Sequence, residues 1–206
     1  MNQNIIQKLT CLAETRFLSL YDATYQNKNG KTKHWMIASR KNYETLIAQY
    51  FEQKEDQTDA VVIAALHKPT QCLVLIRQFR VPLNDYVYEL PAGLIDHGED
   101  INKALTRELK EETGLSVLKI TETMGSYKAY LSAGMTEESA ALIYCTCEGT
   151  ATSQYLEEDE VIEAFLVSQD EAKKLIKNNV KMDIKALMAV QSFIKLGAKL
   201  FEELSL

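Results

Sequence analysis

Glu108, Glu111 and Glu112 crowd into five positions of a segment whose spacing predicts a helix. Residues three and four apart are neighbours on a helix surface, and each like-charge pair there costs roughly 0.2–0.5 kcal/mol. Acids near a helix C-terminus also meet the unfavourable end of the macrodipole. Ile101, Ala104 and Leu105 lie on the same meridian, whereas Asn102, Lys103, Thr106 and Lys110 fall away from it. The first half of the helix therefore buries hydrocarbon along the line on which the second half presents carboxylates. A solvated acidic face paired with Lys103 and Lys110 would not share that apolar line. Carboxylates converging inward suit a hard divalent cation such as Mg²⁺, which takes one or two of them together with substrate phosphate oxygens. Arg107, about 100° round from Glu108, is placed to anchor one of the acids.

The helix that positions these groups opens at Asp100 or Glu99 and closes at Gly114, a C-terminal glycine. Ahead of it, Ala60–Leu66 and Cys72–Arg77 form a hairpin around His67-Lys-Pro69-Thr, and Tyr86–Leu90 is a further strand. Strands at Leu118–Gly125, Ala140–Cys147 and Val161–Val167 complete the main sheet. Ser168–Glu171 caps a helix running through Ile176, and Asp183 to about Phe201 repeats apolar residues at helical spacing. Near the N-terminus, Phe17–Tyr25 and His34–Ala38 flank a turn with Gly30 at its tip. Two strands alone are marginal in water, so this hairpin needs a third strand or another packing partner. Lys41–Gln57 reads as a connecting loop or short helix. The expected fold is α+β, a mixed sheet between helices with a small N-terminal antiparallel β appendage. The division falls at residues 1–57 and 58–206.

A net charge of −6 with no basic block argues against a nucleic-acid or membrane-surface binder. It leaves phosphorylated small molecules open, since a bound metal inverts local charge. The N-terminus lacks the apolar core of a signal peptide, and no apolar run approaches membrane-spanning length. Cys11, Cys72, Cys145 and Cys147 lack zinc spacing and read as core thiols of a reducing cytoplasm.

Gly93, Glu99, Arg107-Glu108-Leu109, Glu111-Glu112 and Gly114-Leu115 together resemble the Nudix box at every defined position. The resemblance implies the Nudix α/β/α sandwich and a Mg²⁺-dependent hydrolase, with Mn²⁺ as a substitute, acting on a nucleoside diphosphate linked to another group. Gln78-Phe79-Arg80 and Glu89-Leu90-Pro91-Ala92-Gly93 resemble the ADP-ribose pyrophosphatase branch. By that likeness the Ala92 carbonyl, Glu108 and Glu112 are metal ligands, with Glu111 second to them. Arg107 orients Glu108 or Glu112, Arg80 meets the pyrophosphate, and Glu89 is a substrate contact or a partner of Arg80 or Arg107.

Leu131–Glu138 resembles the family's S-P-G-x-x-x-E loop, with Gly134 against substrate and Glu138, or failing it Glu137, as the water-positioning base. Ala133 replaces the usual proline and weakens the assignment to ADP-ribose. Trp35 and Arg40 match a tryptophan that stacks on the base and an arginine near phosphate or ribose, in relatives that exchange N-terminal strands within a homodimer. Packing of Trp35 into the hairpin core is the plain alternative. The implied substrate is a nucleoside diphosphate sugar, ADP-ribose first, with GDP-mannose or UDP-glucose types as alternatives. A catalytically silent ligand-binding domain or a nucleoside-triphosphate hydrolase fits less well.

Overall fold

The computed structural model describes residues 5–121, 127–158 and 160–202. Chain contacts group into two units, Met1–Asp59 with Lys128–Ala140, and Ala60–Tyr127 with Ala141–Leu206.

In the first unit, β1 (Ile6–Glu14), β2 (Ser19–Gln26) and β3 (Thr32–Ser39) form a three-stranded antiparallel sheet. β1 supplies the third strand the hairpin requires. Asn27 Oδ1 accepts from the N–H groups of Asn29 and Lys31, and Gly30 takes a positive φ of 71°, so the turn chemistry fixes the β2–β3 register. Along β2, Ser19, Tyr21 and Ala23 point inward, and Tyr21 and Ala23 join Leu9 beneath Leu46. Leu46 belongs to α1 (Tyr43–Phe51), a short helix capped by Asn42. The same unit holds all but the first residue of β9 (Tyr127–Tyr130) and the first two residues of β10 (Ser139–Glu148), a pair of strands that encloses the 131–138 loop.

The second unit contains β4 (Ala60–His67), β5 (Cys72–Arg80), β6 (Asp85–Glu89), β7 (Ala92–Leu94), β8 (Ser116–Ile120) and β11 (Ile162–Val167). They join with β10 in the order β11-β5-β4-β10-β8, with β6 on β5 and β7 on β4, giving the expected mixed sheet. The strand expected to reach Gly125 extends, over 122–125, outside the described residues. β4 is buried along its whole length, so both faces are covered. Val61, Ile63 and Ala65 pack with Leu105 and Leu109 of α2 (Ile101–Thr113). Burying each such aliphatic side chain contributes about 1.5–3 kcal/mol.

α3 (Gln169–Lys177) opens on a complete capping box between Ser168 and Glu171. α4 (Ile184–Leu196) packs against α3, β5 and β6. It stops short of the expected Phe201, because Gly197 takes φ 58° and ψ −139°, a region closed to other residues. A 3₁₀ turn, Gly197–Phe201, follows. The expectation of four core thiols also needs correcting: Cys145 and Cys147 are buried, but Cys11 is exposed and Cys72 half-buried. Cys11 faces outward because β1 buries little beyond Leu9. Among the described residues no helix is long and apolar enough to cross a membrane.

Candidate active site

α2 begins where Asp100 accepts from the Asn102 N–H and ends where Gly114 adopts φ 75°. Its buried line runs through Ala104, Leu105, Glu108, Leu109, Glu112 and Thr113, so the hydrocarbon stripe passes into carboxylates as the spacing predicts. Glu108 and Glu112 are 9% and 4% exposed. Glu111 stands at the edge of the line and is half-buried.

Arg107 gathers the acids around it. Its Nε and Nη2 donate to the two oxygens of Glu99 at 3.0 and 2.9 Å. Nη1 donates to Glu108 Oε1 at 2.7 Å and Glu111 Oε2 at 3.0 Å, and Nη2 also reaches the Leu94 carbonyl. Hydrogen bonding to Glu99, foremost among several contacts, raises the Arg107 pKa further and holds that of Glu99 down. The effect on Glu108 is opposite in sign: burial raises its pKa, and the shared guanidinium offsets only part of that. One cation divided among three acids cannot compensate the most buried of them. Glu112 lies outside the reach of Arg107 in these contacts. Burial drives its pKa well above the ordinary carboxylate range, opposed chiefly by the Ala92 N–H, which donates to Oε2 at 2.9 Å.

Among the described residues no three His, Cys, Asp or Glu side chains are gathered so as to hold a metal ion. Two observations nonetheless fit an oxygen-seeking dication at Glu108 and Glu112. Both carboxylates are buried with more negative charge than Arg107 neutralises. The Gly93 backbone approaches Glu108 so closely that an added Cβ would lie 1.9 Å from its carboxyl carbon. That approach keeps Glu108 against β7, which is paired to β4 through Val61–Gly93 and Val62–Ala92.

Arg80 is held as a fork by Glu89, with bonds of 2.6 and 2.7 Å, so Glu89 partners Arg80 and not Arg107. That pairing leads the contacts that raise the Arg80 pKa, against partial burial.

The remaining candidates lie in the first unit. Trp35 is 53% exposed, and its indole N–H donates to the Gly134 carbonyl at 3.1 Å, so the ring is not part of the hairpin core. The 131–138 loop is closed by Met135 and Thr136 N–H groups on the Ser132 carbonyl and by Leu131 N–H on the Glu138 carbonyl. Three consecutive residues at its end are each gripped from elsewhere in the unit. Ser39 donates to Glu137 Oε1, Arg40 Nε pairs with Glu138 Oε1 at 3.0 Å, and Asp59 Oδ2 accepts from the N–H and hydroxyl of Ser139. Beside them, Asp56 bridges Lys41 and Lys128.

Trp35, Tyr50, Tyr130, Met135 and Glu137 line a cavity of about 260 Å³. Burial, and then the nearby Glu137 and Asp56, push the Tyr50 pKa up to about 12. Sequence reasoning missed Ser39, Tyr50, Asp56 and Asp59. Their partners lie far along the chain, and no local pattern marks them.

The NUDIX domain profile matches residues 56–188. A nudix hydrolase-type protein of Caenorhabditis elegans is 37% identical over 131 residues, covering 60% of this chain and 58% of that one. The ADP-ribose pyrophosphatase of Saccharomyces cerevisiae is 30% identical over 201 residues, 89% of this chain and 82% of that one. Among solved structures, a crystal structure of an ADP compounds hydrolase superposes with a TM-score of 0.64 at 18% identity, covering 94% of this chain and 95% of the other.

Proposed function

The chain belongs to the Nudix family, and on that premise we propose that it hydrolyses the pyrophosphate bond of a nucleoside diphosphate sugar, ADP-ribose first. Water adds to one phosphorus as the bridging P–O bond breaks, giving a nucleoside monophosphate and a sugar phosphate. The observation that carries this reading is the burial of Glu108 and Glu112, the first pressed against Gly93, with only the shared Arg107 and the Glu89-paired Arg80 to offset them.

Glu108, Glu112 and the Ala92 carbonyl are the residues to hold Mg²⁺ or Mn²⁺, with Glu111 adding an oxygen. When bound, such an ion offsets phosphate charge and acidifies water. Arg107 keeps Glu108 and Glu111 oriented and, through Glu99, ties down the loop entering the helix: Glu99 also accepts from the Asp96 N–H. Arg80, its fork steadied by Glu89, offers N–H donors to the pyrophosphate oxygens. Glu138 serves as the base that takes the water proton, leaving Arg40 to turn to phosphate or ribose. Trp35, steadied by Gly134, offers its face to the base.

The protein acts as a homodimer through its N-terminal strands, a reading supported by the exposed Leu12, Phe17, Leu18, Leu20 and Met36 of that region. The deciding experiment is a Mg²⁺-dependent screen of nucleotide sugars, with released monophosphates detected through a phosphatase. ADP-ribose should lead the panel, and absence of turnover on every member would refute the activity. Size measurement of the free protein should give a dimer; a fully active monomer would remove strand exchange.

A further inference from the structure

We propose that Lys185 is a positioning residue for Arg80: by occupying Asp183, it leaves Glu89 as the one acid paired with Arg80 and keeps the rest of that guanidinium free for a diphosphate. This deepens the reading above, on which it rests only for the choice of ligand.

β6 has β5 along one edge, and residues 181–183 run parallel to the other. The Tyr88 N–H donates to the Lys181 carbonyl and the Asp183 N–H to the Tyr88 carbonyl, both at 2.9 Å. Asp183 is still extended, at φ −65° and ψ 148°, where it caps α4. Paired residues point to one face of a sheet, and successive residues to opposite faces. Tyr88 and its partner Met182 therefore share one face, and Glu89 and Asp183 share the other. Like charges side by side repel unless each has a cation. Here each does. Glu89 takes Nε and Nη2 of Arg80. Asp183 Oδ2 takes Lys185 Nζ at 2.8 Å, and Oδ1 accepts from the Lys185 N–H at 2.8 Å. Both acids are thus fully engaged, while Arg80 Nη1 makes no hydrogen bond among the described residues. Behind the Glu89 hydrogen bonds, the charges of Glu112 and Asp183 also raise the Arg80 pKa, so Asp183 lies within electrostatic reach of that guanidinium. Without the Lys185 ammonium, Asp183 Oδ2 is released as a rival to Glu89, and to any phosphate, for Arg80.

The chain has five arginines, so the Nε–H resonance of Arg80 can be assigned in a ¹⁵N spectrum by its loss in Arg80→Lys. Lys185→Met keeps an apolar stem and removes the charge, and it should shift that resonance. It should also raise KM for ADP-ribose about 2- to 5-fold, the size of one part-exposed ion pair, with kcat nearly unchanged. Adding Asp183→Asn should return both towards wild type, because asparagine caps a helix as well as aspartate does and carries no charge. An Arg80 resonance unmoved by Lys185→Met, or a shift that Asp183→Asn fails to reverse, would overturn the proposal. So would a fall in kcat with KM unmoved. The resonance needs no turnover, so a reversible shift in a protein inactive on every nucleotide sugar would sustain the role of Lys185 while refuting the hydrolase. Brisk hydrolysis with an unmoved resonance would do the reverse.

Discussion

Two ionic clusters, one in each unit, are built on opposite charge balances. Around Asp56, two lysines face two acids: Lys41 reaches Asp56 and Asp59, and Lys128 reaches Asp56. Around Arg107, a single guanidinium faces Glu99, Glu108 and Glu111. The first is closed. Burial alone would raise the Asp56 pKa, but hydrogen bonds from Lys128 and Lys41 outweigh it and leave the carboxyl below its ordinary value. The second is open: Glu108 is raised despite its arginine, and Glu112 beside it is raised further. A balanced cluster holds parts together. The one with surplus negative charge is where we propose that a metal ion binds.

The largest effect should come from that surplus. Glu112→Gln is expected to lower kcat by about 10²–10⁴-fold while the melting temperature stays at or above wild type, since a neutral amide removes a carboxylate disfavoured by burial. An active variant would make the two clusters alike. Arg107→Ala should cost about 2–3 kcal/mol in denaturant unfolding, because three acids lose one partner. Mg²⁺ should then raise the melting temperature more in the variant than in wild type; equal gains would mean that the acids do not share a cation.

Gly93→Ala forces the Glu108 carboxylate off β7 and is expected to destabilise by about 1–2 kcal/mol, with kcat/KM falling alongside. Unchanged kinetics would show that the close approach has no chemical purpose. Asp56→Asn should cost about 1 kcal/mol at neutral pH. The folded-state pKa of Asp56 lies below its ordinary 3.8, so its contribution is complete above that value and disappears as pH falls through the folded pKa. Melting temperatures of wild type and variant should therefore converge in strong acid, and a gap that persists there would remove the ionic account.

The acidic helix was legible because its information is local. Cap, apolar stripe, acids and closing glycine all sit within a few turns, and even the Arg107–Glu111 pair follows from i,i+4 spacing. β1 was not legible. Its alternation is blurred because only Leu9 is fully buried, so Ile6–Glu14 carries neither a strand's nor a helix's period. β7 and β9 are too short to show one. α4 looked longer because its apolar spacing continues past Gly197, and only the backbone angle shows why the helix cannot. The partners of the loop acids are the clearest loss. Ser39 and Glu137, or Asp59 and Ser139, meet across 98 and 80 positions of chain, and nothing near either one records the other.

Those distant grips set a limit on exchanging parts between relatives. Residues 137, 138 and 139 each depend on a side chain at 39, 40 or 59, so the loop is only half of a lock whose other half is encoded nearly a hundred positions earlier. A graft of the loop alone would arrive without its keepers, and substitutions at these paired positions should travel together through the lineage.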